Sequence, residues 1–239
     1  MAVMEPLAIP VALVPAFDAV PGLVHGFGQR VGPDIEKREA TRTRMARSLS
    51  PAGRLYLLKQ VHGRAVQRAP WAGVPEGDAA LAAAPGDILG IETADCLPLL
   101  LVDPRRRVVA AAHAGWRGTA AGVSGAAVAE LVADGSRPGD LLAALGPSIG
   151  PCCYEVGEEL RAEFPGGDKF FTRASNGRSH LDVRQANATQ LEAAGVDPKH
   201  LHTVDHCTRC RADLYYSYRR EGAQGGRMVS FIGFHGTSP

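Results

Sequence analysis

Mostly apolar runs of five or six residues recur along this chain without a regular polar alternation. Three of them, at residues 88–92, 97–102 and 107–112, lie within 25 residues of each other. Runs of this length that lack alternation are typical of strands covered on both faces. Further strands are predicted at residues 23–27, 54–61, 64–68, 201–204 and 228–234, with a short buried run at 141–145.

Helical spacing of apolar residues is clearest in two stretches. Residues 119–134 carry an apolar stripe, with Thr119 predicted as the N-cap and Gly135 following the last helical residue. Residues 182–194 begin on Asp182 and stop at Gly195. Helices are also predicted at 34–49 and 156–164, and an edge strand or extended arm within 1–20. This mixture of strands, helices and at least one hairpin predicts an α+β fold with mixed β-sheets and flanking helices.

Composition and charge narrow the class of protein. The 239 residues fit one large domain or two small ones. With 26 basic and 25 acidic residues, the formal net charge of +1 favours neither a nucleic acid nor a membrane surface as partner. No apolar stretch approaches the roughly 20 residues of a transmembrane helix. Five cysteines without a signal-peptide pattern predict reduced thiols and a cytoplasmic location.

A hairpin brings two potential metal ligands together. Cys96 precedes the run 97–102, residues 103–106 form a turn, and His113 follows the return run. If Val102 pairs with Arg107, the same register sets Cys96 opposite His113, with Cβ atoms roughly 4.5–5.5 Å apart. His62, at the end of the run 54–62, is the third predicted ligand. Three protein ligands leave a fourth position for water or substrate, as in catalytic zinc sites.

The motifs around these ligands carry a family resemblance. They include Lys-Gln-Val-His-Gly (59–63), Thr-Ala-Asp-Cys-Leu-Pro (93–98), His-Ala-Gly-Trp-Arg-Gly-Thr (113–119) and Gly-Pro-Ser-Ile-Gly-Pro-Cys-Cys-Tyr-Glu-Val-Gly (146–157). Shorter matches lie at 25–30, 77–79, 216–220 and 226–227. The chain resembles the YfiH-like laccase-domain family, also labelled polyphenol oxidases, over nearly its whole length.

The resemblance implies one domain over residues 1–239, similar in fold to cytotoxic necrotizing factor. It implies a zinc site formed by His62, Cys96 and His113, with copper as the alternative metal. It also implies phosphorolysis of purine nucleosides (adenosine, inosine, guanosine and methylthioadenosine) and deamination of adenosine. The expected partners are therefore purine nucleosides and phosphate, and the expected state is a monomer or small homo-oligomer.

Further site residues are predicted beside the ligands. Arg117, with its planar cationic fork, is predicted to bind phosphate at the strand-to-helix turn, where Gly115 and Gly118 allow close approach. Glu92 and Asp95, the nearest carboxylates, are predicted to be catalytic together with the three ligands, because deamination needs a proton shuttle that is often a carboxylate. Glu92 is expected to share the face of Cys96, while Asp95 would point away and could orient a loop instead. The family motifs supply the remaining predicted substrate contacts, Gln60, Thr93, Arg30 and Arg219.

Two other functions compete with this one. A copper oxidase of the laccase type needs several His-x-His pairs, and the chain has one, at residues 200–202. A Cys–His hydrolase, acting for example on peptidoglycan precursors, needs Cys96 and His113 but not His62. The pair Cys207 and Cys210 departs from the family pattern and is predicted to be two free thiols. The adjacent cysteines 152 and 153 are predicted to pack near the site without binding a metal.

Overall fold

Two large β-sheets stack on each other, and helices cover their outer faces. The computed structural model describes residues 9–31, 38–49, 51–164, 166–175 and 177–236. The helices are α1 (Pro15–Asp18), α2 (Arg38–Leu49), α3 (Trp116–Ala120), α4 (Val123–Ala133), α5 (Val183–Ala193) and α6 (Tyr218–Glu221). Short 3-10 turns span Pro138–Asp140, Glu158–Glu163, Asp168–Phe170, Pro198–His200 and Gly222–Gln224.

The strands form three sheets. They are β1 (Val11–Ala12), β2 (Leu23–Gly28), β3 (Arg54–Leu57), β4 (Val66–Arg68), β5 (Ala79–Ala82), β6 (Asp87–Thr93), β7 (Leu97–Asp103), β8 (Val108–Ala114), β9 (Leu142–Leu145), β10 (Glu155–Val156), β11 (Phe171–Arg173), β12 (Ser179–Leu181), β13 (Leu201–Thr203) and β14 (Met228–Phe234). The sheet orders are β1-β2-β14-β6-β3, β13-β9-β7-β8-β5-β4 and β10-β12-β11. Parallel pairs β3/β6, β4/β5 and β9/β13 sit beside antiparallel ones, so the predicted mixed α+β class is confirmed.

The central strands are buried on both faces, which explains their uninterrupted apolar runs. In β7, Leu99 and Leu101 pack into the core beneath α4 and α5. The alternate residues Leu100 and Val102 face the core between the two large sheets. Because side chains alternate along a strand, a strand in the middle of such a stack needs apolar residues at every position. Among the described residues, no helix is long and apolar enough to cross a membrane.

The register predicted for the β7/β8 hairpin is wrong by two residues. Pro98, not Cys96, lies opposite His113. The turn is four residues long, at positions 104–107, and Arg107 adopts a left-handed conformation with φ 56°. The Asp103 carboxylate accepts the backbone N–H groups of Arg105 and Arg106 across this turn. A register shift of two residues leaves every side chain on the same face of the sheet, so the predicted assignment of side chains to faces still holds.

The helix predictions hold in part. The predicted helix 119–134 is two helices, α3 and α4, because Gly122 breaks it at φ 83°. Thr119 therefore lies inside α3 and is not an N-cap. Asp182 caps α5 as predicted, its carboxylate accepting the Gln185 N–H, and Gly195 follows the helix at φ 93°. Residues 156–164 form a strand end and a 3-10 turn rather than a helix.

Four strands, β5, β10, β11 and β12, have no counterpart in the sequence prediction. The N-terminal expectation corresponds to the edge strand β1, and α2 matches the prediction at 34–49 from Arg38 onward. Residues 1–8 and 34–37 lie outside the described residues. The single-domain organisation over residues 1–239 stays a prediction.

Candidate metal and substrate site

The three predicted ligands meet at one edge of the stacked sheets. His62 lies in the loop after β3, Cys96 in the turn between β6 and β7, and His113 near the end of β8. Their donor atoms all lie within 4.8 Å of one another. The two imidazole rings stand nearly perpendicular, with centroids 4.8 Å apart. The predicted trio is therefore brought together, although by a turn that carries Cys96 toward His113 and not by direct pairing.

A buried carboxylate, Asp78, holds both histidines. Its oxygens accept the backbone N–H groups of Val61, His62 and Gly63 at 3.2, 2.9 and 2.7 Å. One oxygen also lies 2.8 Å from Nδ1 of His113. Three successive N–H groups around an anion form a nest, and a left-handed residue is part of that geometry. His62 is this residue, with φ 61°.

The contact with Asp78 also determines which nitrogen of His113 faces the other ligands. With Nδ1 donating to the carboxylate, Nε2 is left free to bind a metal, as in carboxylate–histidine–metal arrangements. Burial raises the pKa of Asp78, but hydrogen bonds from His113 and the loop N–H groups outweigh it and lower the pKa overall. The carboxylate therefore stays charged and can support a metal-bound histidine.

A second buried aspartate fixes the turn that carries Cys96. Asp95 is left-handed with φ 83°, and its carboxylate accepts hydrogen bonds from Thr208 Oγ1, Ser217 Oγ and the Arg219 backbone N–H. The side chain thus binds the segment from Thr208 to Arg219 to this turn. These three donors occupy its oxygens, so Asp95 positions the neighbouring thiol through the turn.

Cys96 and His113 shift each other's pKa. Burial raises the pKa of Cys96, but the charge of His113 and hydrogen bonds from both histidines bring it down to about 6. For His113, burial lowers the pKa, but the Cys96 thiolate and Asp78 raise it to about 9. At neutral pH without a metal, the pair is a thiolate beside an imidazolium. A thiolate is also the form that a metal binds.

A cavity of about 560 Å³ opens beside the three ligands. Aromatic side chains of Trp116, Tyr154 and Tyr218 line its wall. Three guanidinium groups reach it as well, those of Arg117, Arg219 and Arg227. Each stacks on one of the rings, with Cζ 4.5, 5.4 and 5.8 Å from the centroid of Trp116, Tyr154 and Tyr218, respectively.

The partners of these three arginines are neutral groups. Arg219 donates to the Glu155 carbonyl and Arg227 to the carbonyls of residues 225 and 226. Within the described part of the chain, none of the three guanidinium groups pairs with a carboxylate. Positive charge held in a cavity without a carboxylate partner favours an anionic ligand. The helix α3 that follows Gly115 has only five residues, so the preference for an anion is assigned to the arginines and not to the helix N-terminus.

Several predicted site residues reach the cavity but are engaged with other protein groups. Glu92 pairs with Arg42 through both carboxylate oxygens. It lies in β6, whereas Cys96 precedes β7, so the expectation that the two share one strand face is wrong. The Gln60 amide bonds the backbone N–H and carbonyl of Glu92, which ties the His62 loop to β6. Thr93 lines the cavity at the end of β6.

The remaining predicted contact residues, Gly115, Gly118 and Arg30, pack closely against other protein groups. A Cβ on Gly115 would lie 3.0 Å from Cys96 Sγ and 3.2 Å from His62 Cδ2, so this glycine lets the ligands close together. A Cβ on Gly118 would lie 2.9 Å from the Gly63 carbonyl, and Gly118 is not part of the cavity wall. Arg30 is also outside the wall: it pairs with Glu221 and stacks on Tyr216.

Sequence reasoning missed Asp78 and the aromatic wall. Asp78 lay in the Gly-Asp-Ala motif, and Tyr154, Trp116 and Tyr218 lay in other matched motifs. Their presence in those motifs was the available signal. Burial raises the pKa of Tyr154, and the Cys96 thiolate raises it further, so its hydroxyl stays protonated at neutral pH.

The fold and site define a mixed α+β protein with a Cys/His2 cluster beside a cationic, aromatic cavity. The family model described as "Multi-copper polyphenol oxidoreductase laccase" matches residues 25–235, and the chain belongs to this laccase-like YfiH family. A protein of Deinococcus radiodurans named purine nucleoside phosphorylase is 44% identical over 194 residues, covering 80% of this chain and 75% of that one.

Two further similarities point the same way. Adenosine deaminase RL5, from an unknown prokaryotic organism, is 38% identical over 160 residues, or 65% of this chain and 61% of that protein. The crystal structure of the YfiH protein of Bacillus licheniformis matches with a TM-score of 0.86 and 25% identity, covering 95% of this chain and 97% of that one. The recognition of the family from its motifs is thus confirmed.

Replacing Asp78 is expected to weaken metal binding. In Asp78→Asn the amide keeps the shape but loses the charge that supports His113 and the loop, and we expect metal affinity to fall roughly 10- to 100-fold. A competition titration with a chromophoric zinc chelator measures this. Asp103→Asn is the matched control, since Asp103 is also buried and also accepts two backbone N–H groups. Equal loss of affinity in both variants would contradict the assigned role of Asp78.

The Cys96 thiol is expected to titrate at low pH in metal-free protein. Because its pKa is about 6, its alkylation by iodoacetamide should stay fast down to that pH. His113→Ala removes the stabilising charge and should move the inflection toward the ordinary thiol value of about 8.5. Peptide mapping by mass spectrometry separates Cys96 from the other cysteines. An inflection near the ordinary value in the unmodified chain would contradict this electrostatic account.

Proposed function

We propose that this chain is a zinc-dependent purine nucleoside phosphorylase that also deaminates adenosine. The observation that supports it best is the cavity beside the Cys/His2 cluster. Three aromatic rings lie there with three guanidinium groups that pair with no carboxylate of the described residues. A purine nucleoside and inorganic phosphate together present flat apolar faces and a multiply charged anion. The cavity volume of about 560 Å³ lies in the range of small-molecule sites.

The ligand set fits a zinc ion. One thiolate and two imidazoles, with donor atoms within 4.8 Å of one another, match the borderline-soft preference of zinc and leave a coordination position open. His62, Cys96 and His113 would hold the metal. When bound, zinc would supply Lewis-acid polarisation or an activated water.

The chain's own groups would bind and orient the substrates. Arg117, Arg219 and Arg227 would hold phosphate with one oxygen directed at C1′ of the ribose. In phosphorolysis the bond from that oxygen to C1′ forms while the C1′–N9 bond breaks, and its electron pair leaves with the purine. Tyr218, 55% exposed at the cavity, offers its ring for stacking on the base.

The protonated Tyr154 hydroxyl would donate a hydrogen bond in this region of the cavity. Its raised pKa makes it a poor source of a full proton, so we assign it a stabilising role only. Deamination of adenosine would instead add water at C6 and release ammonia. Glu92 lies at the cavity wall, but its carboxylate is paired with Arg42. Any part it takes in the proton transfers of deamination would therefore be taken as a member of this ion pair.

A Cys–His hydrolase is the second candidate, and one observation favours it. The Cys96 thiolate, the His113 imidazolium and Asp78 have the order of contacts of a nucleophile, its base and an orienting carboxylate. His62 separates the two functions, since a dyad has no need of it. The copper-oxidase alternative has weaker support, because His200 and His202 belong to neither cluster of metal-ligating groups among the described residues.

Incubation with adenosine, with and without phosphate, tests the function. We expect adenine and ribose 1-phosphate only when phosphate is present, and inosine in both samples, with products separated by chromatography. Cys96→Ala and His62→Ala should each abolish turnover, because both remove a metal ligand. Untouched adenosine, or turnover that survives the loss of His62, would reject the proposal in favour of the hydrolase.

Replacing Arg117 tests the phosphate site. A charged hydrogen bond is worth about 1.5–3 kcal/mol, so Arg117→Ala should raise the KM for phosphate roughly 10- to 100-fold. The KM for the nucleoside should change less. Arg105→Ala, at an exposed position in the β7/β8 turn, is the control and should leave both constants unchanged. An unaltered dependence on phosphate in Arg117→Ala would remove Arg117 from the phosphate site.

A further inference from the structure

The four cysteines outside the Cys/His2 cluster converge on one another. Cys152 and Cys153 lie in the turn after β9, and Cys207 and Cys210 lie more than fifty residues later in the loop after β13. All four Sγ atoms lie within 4.8 Å of one another, and all four thiols are free. Cys210 Sγ lies 3.7 Å from Cys152 Sγ and 3.4 Å from Cys153 Sγ.

These distances suit a metal better than a disulfide. A tetrahedral tetrathiolate site with Zn–S bonds of about 2.3 Å places its sulfur atoms about 3.8 Å apart. A disulfide requires about 2.05 Å and uses two sulfurs at a time. Here Cys210 lies at nearly equal distance from both Cys152 and Cys153, as one corner of a tetrahedron does from the others.

The surroundings also suit bound thiolates. The backbone N–H of Gly150 donates to Cys207 Sγ at 3.3 Å, and the Arg209 guanidinium lies 3.6 Å from Cys153 Sγ. Four thiolates around a divalent cation carry a net negative charge. A backbone N–H and an arginine directed at the sulfurs offset part of that charge, and such contacts to ligand sulfurs are common around metal centres.

We propose that Cys152, Cys153, Cys207 and Cys210 bind a second metal ion, a structural Zn²⁺ with four protein ligands and no open position. This centre is separate from the Cys/His2 site and does not depend on the proposed reaction. Four thiolates and no other donor favour zinc over harder cations.

The centre would fasten two loops that shape the cavity. The first loop carries Ile149 and Tyr154, which line the wall. The second carries Thr208, which donates to Asp95, and leads to Arg219. In the described part of the chain, backbone hydrogen bonds join the loops at Ser148, from the Thr208 N–H to its carbonyl and from its N–H to the His206 carbonyl. A metal that joins all four cysteines would therefore stabilise the part of the cavity wall that these loops form.

Metal content per chain tests the proposal. Protein from zinc-supplemented cultures, freed of loosely bound metal, is expected to hold two zinc ions per chain, one for each cluster of ligands. Cys207→Ser/Cys210→Ser should hold one, in the Cys/His2 site, and should unfold at a lower temperature. Cys96→Ala/His113→Ala should also hold one, so failure of either site is seen independently. Arg211→Ala, an exposed substitution in the same loop, should keep both ions.

For the case that the double serine variant does not fold, two further measurements use chains that keep all four cysteines of the second centre. Cobalt substitution of Cys96→Ala/His113→Ala should give the intense visible absorption of a tetrahedral cobalt thiolate. Thiol titration of denatured protein with a chelator should find all five cysteines reduced. Absence of the cobalt spectrum, a thiol count reduced by disulfides, or equal zinc content in the native chain and Cys207→Ser/Cys210→Ser would overturn the second centre.

Discussion

The carboxylate of Asp78 is the interaction on which the site depends. It is fully buried, and burying a charge costs several kcal/mol unless hydrogen bonds and charges surround it. Three backbone N–H groups of residues 61–63 and the imidazole of His113 supply that environment. Because these donors must surround the carboxylate, the loop after β3 and the strand β8 are held close together around it. Two ligands from distant parts of the chain are thereby held together.

The same principle operates at Asp95, with a different set of donors. His62 and Asp95 are both left-handed without being glycine, a conformation that side chains rarely adopt. In each case a buried aspartate supplies the compensating hydrogen bonds, Asp78 for His62 and Asp95 through its own side chain. Strained backbone thus occurs where two of the three ligands are placed. The strands on either side need no such support, because their burial on both faces already fixes them.

The sequence was sufficient for elements whose stability is local and insufficient for features set by distant contacts. Buried runs predicted β7, β8 and β14, and Asp182 with Gly195 predicted the limits of α5, since each signal lies within the element. The strand β5 was missed because Ala-Ala-Leu-Ala has little strand preference and is stabilised by its pairing with β8. The hairpin register was wrong because the turn length depends on Asp103 and the left-handed Arg107. Glu92 was misplaced because β6 ends at Thr93, so a turn separates Glu92 from Cys96 where the prediction had one continuous strand.

The charge of the chain shows why composition could not predict its candidate ligand. A net charge of +1 offers no long-range attraction for an anion. Many arginines of the described residues, however, are paired with carboxylates, among them Arg42 with Glu92, Arg30 with Glu221 and Arg184 with Asp205. Among the described residues, the guanidinium groups at the cavity contact carbonyls and aromatic rings but no carboxylate, and their field acts where water is partly excluded. Anion selectivity would then arise from the positive charges that the fold leaves without a carboxylate partner. The net charge of the chain does not show which charges these are.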